Sequence, residues 1–190
     1  MRETAQTESE PVADVKDLVA RAQAGDREAL QDLYLLHFDR IYAYLQMTVG
    51  NRHDAEDLTN QTFVKMLESI GRFQWRKVPF SAWLFRIAHN LAIDHFRAGR
   101  RWQPEEEPPE PPDREQRSAE DEAMHSIGRR SMLQMIEDLS DEQQQVLTLK
   151  FVFNFSNGEA ATILGKTEGA VKSLQHRALA SLQRQLAASG

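Results

Sequence analysis

The sequence contains no cysteine, which excludes a disulfide framework and leaves only histidine and carboxylate side chains for any zinc site. No apolar run approaches the roughly 18 residues that a membrane-spanning helix needs. The first twelve residues are polar and acidic and do not resemble a signal peptide. Strand signals are also missing, because no segment alternates apolar and polar residues between hairpin turns. We therefore expect an all-helical protein of the reducing cytoplasm.

The charge is unevenly distributed along the chain. The formal net charge is −6, which by itself argues against a nucleic-acid partner. Residues 103–122, however, hold nine acidic side chains against two arginines, whereas residues 71–101 hold seven basic side chains against a single aspartate. This polarity says more about the partners than the total does, and it leaves a basic segment available for an anionic one.

An acidic, proline-rich stretch separates two predicted domains. It contains five of the seven prolines and almost no apolar residue, a composition typical of an extended linker that cannot pack a core. We predict a disordered tail at residues 1–13, a helical domain at 14–102, the linker at 103–117 and a second helical domain at 118–190.

Helical periodicity predicts four helices in the first domain. They cover residues 14–24, a segment capped by Asp26 and ending near residue 49, residues 54–70 and residues 80–101. In the third helix we expect the buried positions to be Leu58, Thr62, Val64 and Leu67. In the fourth we expect them to be Phe80, Trp83, Leu84, Ile87 and Leu91.

The second domain has the signals of a helix-turn-helix. A helix is predicted at residues 118–138, and capping boxes follow at Ser140 and Ser156, answered by Gln143 and Glu159. A short helix then ends before Gly165, and Thr167 caps a final helix that runs to about residue 186. Two helices joined by a three-residue turn containing glycine are typical of DNA-binding modules.

One face of the final helix carries hydrogen-bond donors behind a small N-terminal residue. This recognition face consists of Gly169, Lys172, Ser173, His176 and Arg177. Such a face suits entry into the major groove. An ordinary solvated face is the alternative, and the helix-turn-helix context favours DNA.

Residues 71–101 interleave cations with six aromatic rings. The predicted loop offers Arg72, Phe73, Gln74, Trp75, Arg76 and Lys77, and the outer face of the fourth helix is predicted to offer Arg86, His89, Phe96, Arg97 and Arg100. Cations for phosphates beside rings that can stack on unpaired bases are what single-stranded nucleic acid requires. A basic surface for a protein partner is a compatible alternative.

Several motifs occur together in a familiar order. They are Asp54-Ala55-Glu56-Asp57, Phe80-x-x-Trp83-Leu84-x-x-Ile87-Ala88-x-Asn90, the acidic linker, Glu159-Ala160-Ala161-x-x-Leu164-Gly165 and Glu168-Gly169-x-Val171-Lys172-Ser173. The sequence resembles an extracytoplasmic-function (group IV) sigma factor of the sigma-70 superfamily, from about Val15 to near its end. It departs from the family pattern at Asn60, Ala170 and Leu174-Gln175.

The resemblance implies a sigma region 2-like domain and a sigma region 4-like domain, with promoter DNA and core RNA polymerase (its clamp helices and flap) as partners. The polymerase-binding residues would be Asp54, Glu56, Asp57, Asn60, Gln61 and Phe63. The minus-ten element would be bound and melted by Arg72, Phe73, Trp75, Arg76, Lys77, Arg86, His89, Asn90, Arg97 and Arg100. The minus-thirty-five element would be read by Thr167, Gly169, Lys172, Ser173, Gln175, His176 and Arg177. An anti-sigma factor, which could hold the protein at the membrane, would be a further partner.

Two other function classes deserve comparison. His53-Asp54 could belong to a metal-dependent phosphohydrolase, but such a site needs further ligands that the remaining histidines do not supply in a ligand-like pair. A polymerase-independent helix-turn-helix regulator would explain the second domain and not the basic aromatic segment. We expect no enzymatic activity, no catalytic residue, no metal and no cofactor.

Overall fold

The computed structural model describes residues 12–75, 78–102 and 139–188, and every regular element in those ranges is a helix. The chain divides into two compact units, residues 1–91 and 92–190. The all-helical prediction is confirmed. The predicted linker and the helix predicted at residues 118–138 lie outside the described residues.

The N-terminal elements are four helices whose ends follow from local caps. They are α1 (Val12–Gln23), α2 (Arg27–Val49), α3 (Arg52–Ser69) with a 3-10 turn at Ile70–Arg72, and α4 (Phe80–Trp102). Asp26 accepts hydrogen bonds from the backbone of Glu28 and Ala29, and so caps α2 as predicted. Gly50 then ends α2 in the left-handed conformation, with φ 70°.

Helix α3 begins two residues earlier than predicted. The reason is Asn51, whose side chain accepts hydrogen bonds from the backbone of His53 and Asp54 and so acts as the N-cap. The predicted buried face was partly wrong, because Val64 and Leu67 are each 53% exposed. The buried positions repeat every three or four residues instead, at Ala55, Leu58, Thr59, Thr62, Phe63 and Met66.

The buried stripe of α4 also differs from the prediction. Phe80 and Leu84 are buried as expected, whereas Trp83, Ile87 and Leu91 are only half-buried. The stripe runs through Phe85, Ala88, His89 and Ala92. The alanines of this stripe are small, and a search for large apolar side chains passes over them.

The C-terminal elements form the predicted helix-turn-helix. They are α5 (Asp141–Leu147), a wide π-helical turn (Thr148–Val152), α6 (Asn157–Leu164) and α7 (Glu168–Ala188). Both capping boxes are present, at Ser140 and at Ser156. Gly165 ends α6 with φ 63°, and the Thr167 hydroxyl accepts a hydrogen bond from the Ala170 backbone at the start of α7.

The π-helical turn was not predicted. The backbone N–H of Phe153 donates to the Thr148 carbonyl at 3.2 Å, and that of Phe155 donates to the Leu149 carbonyl at 2.9 Å. This wide turn places Phe153 and Phe155 in the core of the unit and leaves Phe151 exposed.

Candidate nucleic-acid interface

The residues predicted to form the recognition face lie in a solvent-accessible row on α7. Gly169, Lys172, Ser173, His176 and Arg177 are all exposed. On the other side of the helix, Val171, Leu174 and Ala178 are buried. The helix therefore presents donors outward while an apolar stripe holds it against its own unit, as a helix that enters a groove must do.

Two of the predicted residues at this helix need qualification. Thr167 is exposed, but its hydroxyl oxygen already accepts the N-cap hydrogen bond. Gln175 is only half-buried on the flank of the stripe, so it does not share the exposed row with Lys172. Lys172 itself forms an ion pair of 2.9 Å with Glu168, one turn earlier. This pair is solvent-exposed, so exchanging Glu168 for a phosphate costs little.

An aromatic cluster lies at the start of the loop between α3 and α4. It consists of Phe73, Trp75, Phe80 and Trp83. The Phe73 ring is 8% exposed and forms the centre, with centroid distances of 5.4 Å to Trp75, 5.4 Å to Phe80 and 5.0 Å to Trp83. Trp75 is half-buried and forms an accessible edge. Such edge-on and tilted contacts hold aromatic rings in fixed relative positions.

The burial of Phe73 corrects part of the prediction for this loop. A buried ring cannot stack on a base without losing its contacts with neighbouring rings. Phe73 therefore packs against Trp75 and supports it, rather than contacting DNA itself. Arg72 is exposed beside it. Arg76 and Lys77 lie outside the described residues.

Among the described side chains, the outer face of α4 carries two of the predicted cations, Arg86 and Arg97. Arg86, Asn90 and Arg97 are exposed, and Arg97 lies 3.6 Å from Asp94 in a surface ion pair. Phe96 is exposed on the same helix. The side chain of Arg100 lies outside the described part of the chain.

His89 is the clear correction on α4, because it is 7% exposed and belongs to the core. Its Nδ1 atom lies 3.0 Å from the hydroxyl of Tyr44 on α2. Burial raises the pKa of the Tyr44 phenol, which keeps this hydroxyl protonated. The pair secures α4 against α2 and has no direct access to DNA.

The predicted polymerase-binding residues lie along α3. Glu56, Asp57, Asn60 and Gln61 are exposed and Asp54 is half-buried. Two of these acids have close neighbours on the same helix, since Glu56 lies 2.9 Å from the Arg52 guanidinium and Asp57 lies 3.7 Å from the His53 imidazole.

Phe63 does not belong to that exposed surface. It is buried, and its ring centroid lies 4.6 Å from that of Tyr34 and 6.2 Å from that of Phe38, both on α2. Phe63 therefore packs α3 against α2 and does not form part of the exposed surface of α3. The exposed apolar side chains of Val64 and Leu67, which were expected inside, extend the accessible face of α3.

Gln23, at the end of α1, is a residue that the sequence did not single out. Its side-chain amide donates to the backbone carbonyls of Ile70 and Phe73, at 2.9 Å and 2.7 Å. No local pattern signals such a contact, because its two partners lie 47 and 50 residues further along the chain.

The alternative metal site has no support in the described parts of the chain, where no group of three or more His, Asp or Glu side chains is placed to hold a metal ion. None of the described helices is long and apolar enough to cross a membrane.

Two segments of the chain match known protein families. Sigma-70 region 2 matches residues 33–102, and sigma-70 region 4 matches residues 129–182. The two matches fall in the N-terminal and C-terminal parts of the chain in the order that the motifs predicted.

Curated relatives are similar over most of the chain. The chain is 40% identical to the ECF RNA polymerase sigma factor BldN of Streptomyces coelicolor, over 92% of this chain and 66% of that protein. It is 32% identical to the ECF sigma factor SigD of Mycobacterium tuberculosis, over 91% of this chain and 84% of that protein. For the ECF sigma factor SigW of Bacillus subtilis, the values are 29%, 90% and 96%.

Solved structures are similar in fold. CnrH, in complex with the cytosolic domain of CnrY, has a TM-score of 0.66 at 24% identity, covering 93% of this chain and 99% of that one. The sigma factor RpoE, in complex with the anti-sigma factor NepR from Bartonella quintana, has a TM-score of 0.61 at 24% identity, covering 82% and 95%.

Proposed function

Because the chain belongs to the extracytoplasmic-function RNA polymerase sigma factors of the sigma-70 family, we propose that it binds core RNA polymerase and directs promoter-specific transcription initiation, including promoter melting. The observation that carries the proposal is the exposed recognition face on α7, in a chain that also has a basic, aromatic segment at residues 71–101. It acts by binding, and we assign it no catalytic residue, metal or cofactor.

The proposed division of labour follows the matched regions. The sigma region 2-like domain at residues 14–102 binds the polymerase and melts the minus-ten element, and the region 4-like domain at 118–190 reads the minus-thirty-five element. The region 2 match ends at residue 102, where the proposed acidic linker at 103–117 begins. Separate domains on a linker can engage two promoter elements at once, which raises the affinity for the correct spacing.

We assign minus-thirty-five reading to the recognition face. Lys172 and Arg177 can donate to guanine edges or phosphates, and Ser173 and His176 add shorter-range contacts. Gly169 lets the backbone at the helix N-terminus approach a phosphate closely, where the helix dipole favours negative charge. Gln175 is assigned a flanking role because of its partial burial.

Minus-ten melting is assigned to the aromatic cluster and the outer face of α4. Extruding one base from the duplex costs a few kcal/mol of stacking, which a shaped pocket and an aromatic contact can offset. Trp75 supplies the accessible ring, and Phe73 fixes its position. Arg86 and Arg97 supply phosphate contacts along α4.

Polymerase binding is assigned to the exposed side chains of α3. Acidic and polar groups at Glu56, Asp57, Asn60 and Gln61 provide directional contacts, and the exposed Val64 and Leu67 provide apolar area beside them. The expected counterparts are the clamp helices, with the flap as the partner of the C-terminal domain.

We also propose regulation by an anti-sigma factor. A partner that covered exposed apolar side chains such as Leu35 and Leu67 in one unit and Phe151 in the other would compete with polymerase for them. A sigma factor works where its polymerase is, so we expect the protein in the cytoplasm, or held at the membrane by such a partner.

The first test is to mix the purified protein with bacterial core RNA polymerase and look for a stable complex by size exclusion. Co-elution supports the sigma function. The competing function, a polymerase-independent regulator, predicts that the protein alone binds duplex promoter DNA specifically and with a steep salt dependence. Absence of a complex with folded protein, together with such binding, would overturn the proposal.

Replacing Trp75 tests the proposed base capture. We expect Trp75→Ala to weaken promoter opening by about ten-fold, since a base–aromatic stack contributes roughly 1–3 kcal/mol, and to leave the affinity for core polymerase unchanged. Permanganate reactivity of unpaired thymines would measure opening.

Trp75→Phe is the matched control, because it keeps a ring and should retain most of the activity. Equal loss of opening and polymerase binding in Trp75→Ala would remove the assigned role. Phe73→Ala suits this test less well, since emptying a buried aromatic site costs about 3–5 kcal/mol of stability.

A further inference from the structure

The side-chain amide of Gln23 bridges the two ends of the short turn that follows α3. One NH₂ group donates to the Ile70 carbonyl at 2.9 Å and to the Phe73 carbonyl at 2.7 Å. The same turn is closed by the Phe73 backbone N–H, which donates to the Ile70 carbonyl at 3.0 Å. Three hydrogen bonds therefore fix the four residues from Ile70 to Phe73.

The two carbonyls lie at the end of α3 and its 3-10 turn, where that of Ile70 also accepts the Phe73 backbone N–H and that of Phe73 lies just beyond the turn. The last carbonyls of a helix have no intrahelical donor, and the chain turns into an extended conformation at Phe73, with ψ 135°. The direction in which Phe73 leaves the turn decides where its side chain points. Gln23 thus acts on the backbone geometry at the residue that begins the aromatic cluster.

Helix α1 provides a firm base for this contact. Val19 and Ala22, on the same helix, are buried. The end of α1 is further held by Arg21, whose guanidinium lies 2.6 Å from the Asp26 carboxylate. That guanidinium lowers the pKa of Asp26, so the pair stays charged at neutral pH. Gln23 therefore contacts the turn from a helix that is itself anchored in the unit.

The position of Phe73 is transmitted to the accessible ring. Phe73 packs edge-on against Trp75, with centroids 5.4 Å apart and an interplanar angle of 77°. If the turn is released, Phe73 can rotate out of its contacts with Phe80 and Trp83, and the edge formed by Trp75 moves with it. A displacement of about 1 Å is enough to weaken a contact that depends on geometry.

We propose that Gln23 is a positioning residue for base capture: it holds the backbone at Ile70 and Phe73 so that Trp75 is preset to receive an unpaired base. The inference rests on the proposed function of the aromatic cluster. Gln23 does not itself need to touch DNA. In this arrangement α1, which carries none of the assigned contacts, determines how well the minus-ten strand is recognised.

Two substitutions separate the donor role from a change of charge. Gln23→Glu keeps the shape and replaces the donor with a carboxylate that repels both carbonyls. Gln23→Met is neutral and has no donor. Gln31→Glu, at an exposed position on α2, is the matched control, since it makes the same change of charge in the same unit.

The measurement uses holoenzyme assembled with core polymerase and two single-stranded oligonucleotides. Both carry the non-template minus-ten strand of a promoter that the holoenzyme transcribes, one intact and one with an abasic site at the captured base. The ratio of the two affinities reports base capture. Affinity for core polymerase and the unfolding temperature of the free protein are measured beside it, because a merely structural role would change these.

We expect wild type and Gln31→Glu to prefer the intact strand, and both Gln23 variants to lose about ten-fold of that preference, the scale of one to two net hydrogen bonds. Affinity for core polymerase should stay unchanged. Variants that discriminate like wild type would overturn the role of Gln23 and leave base capture standing. A loss in Gln23→Glu alone, or a parallel loss of polymerase affinity and stability, would also overturn it. Absence of discrimination in wild type would instead overturn base capture itself.

Discussion

His37, on α2, is a histidine buried in an apolar setting. It is 1% exposed, its ring centroid lies 5.5 Å from that of Phe80, and neither ring nitrogen has a hydrogen-bond partner in the described part of the chain. Burial lowers the pKa of His37 from 6.5 to about 4, with a smaller contribution from the charge of Arg40. At neutral pH the imidazole is therefore uncharged, and its unmet polar atoms cost stability.

The depressed pKa makes the first unit sensitive to acid. Because the folded-state pKa of about 4 lies below the value of 6.5 for an ordinary histidine, the unfolded chain binds the proton more tightly. The free energy of unfolding is therefore highest above about pH 6.5, where His37 is uncharged in both states, and it decreases as the pH falls toward 4. The difference between a pKa of 6.5 and one of about 4 corresponds to about 3 kcal/mol of this free energy.

Replacing His37 with leucine, which fills a similar volume, should flatten this pH dependence. We expect the free energy of unfolding of His37→Leu to fall by about 2–3 kcal/mol less than that of wild type between neutral pH and pH 4.5. Urea unfolding followed by tryptophan fluorescence measures this. His53→Leu removes a histidine at an exposed position of the same unit and is the control, which should show the same pH profile as wild type. Parallel profiles for wild type and His37→Leu would contradict the prediction.

Single residues also show where a sequence is informative about the candidate site. The exposure of Lys172, Ser173 and His176 was predictable because the stripe on α7 is regular and its caps fix the register. The burial of His89 was not, since its partner Tyr44 lies 45 residues away and a polar residue beside arginines gives no sign of being buried. The role of Gln23 could not be predicted for the same reason, because its contacts are set by tertiary packing.

The ends of elements were more predictable than the faces they bury. Capping residues act within four positions of the chain, so Asp26, Ser140, Ser156 and Gly165 could be identified from the sequence alone. Which face of α3 or α4 is buried depends on the helix that packs against it. Val64 was predicted to be buried and is exposed, and Ile87 was predicted to be buried and is only half-buried. The π-helical turn after α5 has no local signal, because it arises where Phe153 and Phe155 pack into the core.

The turn between α6 and α7 offers a comparison of two glycines with equally open surroundings. A methyl group added at Gly165 or at Gly169 would meet nothing within 4 Å. Gly165 has φ +63°, whereas Gly169 lies within α7. Alanine at Gly165 should therefore destabilise the helix-turn-helix by about 1–2 kcal/mol, while alanine at Gly169 should be neutral or stabilise it by up to about 1 kcal/mol.

Hydrogen exchange on the full chain can measure both effects. Amides of α6 and α7 should exchange faster in Gly165→Ala and at the wild-type rate or slower in Gly169→Ala, while the amides of α2 and α3 report any change elsewhere. Similar destabilisation by both substitutions would mean that the backbone conformation at Gly165 is not what ends α6.

At the scale of the whole molecule, the separation of charge along the sequence is the feature that the net value conceals. The basic residues of 71–101 include Arg86 and Arg97 on the exposed face of α4, where they can attract DNA. The acidic residues of 103–122, which lie between the two matched sigma regions, can repel DNA from the same chain. We propose that polymerase takes up this acidic segment, which would let an overall negative protein bind promoter DNA selectively.

Neutralising part of that segment tests whether it interacts with a basic channel of the polymerase. Changing Glu105, Glu106 and Glu107 to glutamine should weaken binding to core polymerase by about ten-fold at low ionic strength, on the scale of three ion pairs of 0.2–1 kcal/mol each. The loss should vanish near 1 M salt, where the screening length is about 3 Å.

The matched control changes Glu3, Glu8 and Glu10, which removes the same charge from the N-terminal tail and should leave the affinity unchanged. Titration of labelled protein into core polymerase across a salt series measures both variants. An equal loss in the two would show that polymerase responds to the net charge of the chain and not to the acidic linker, and it would leave the linker as a spacer alone.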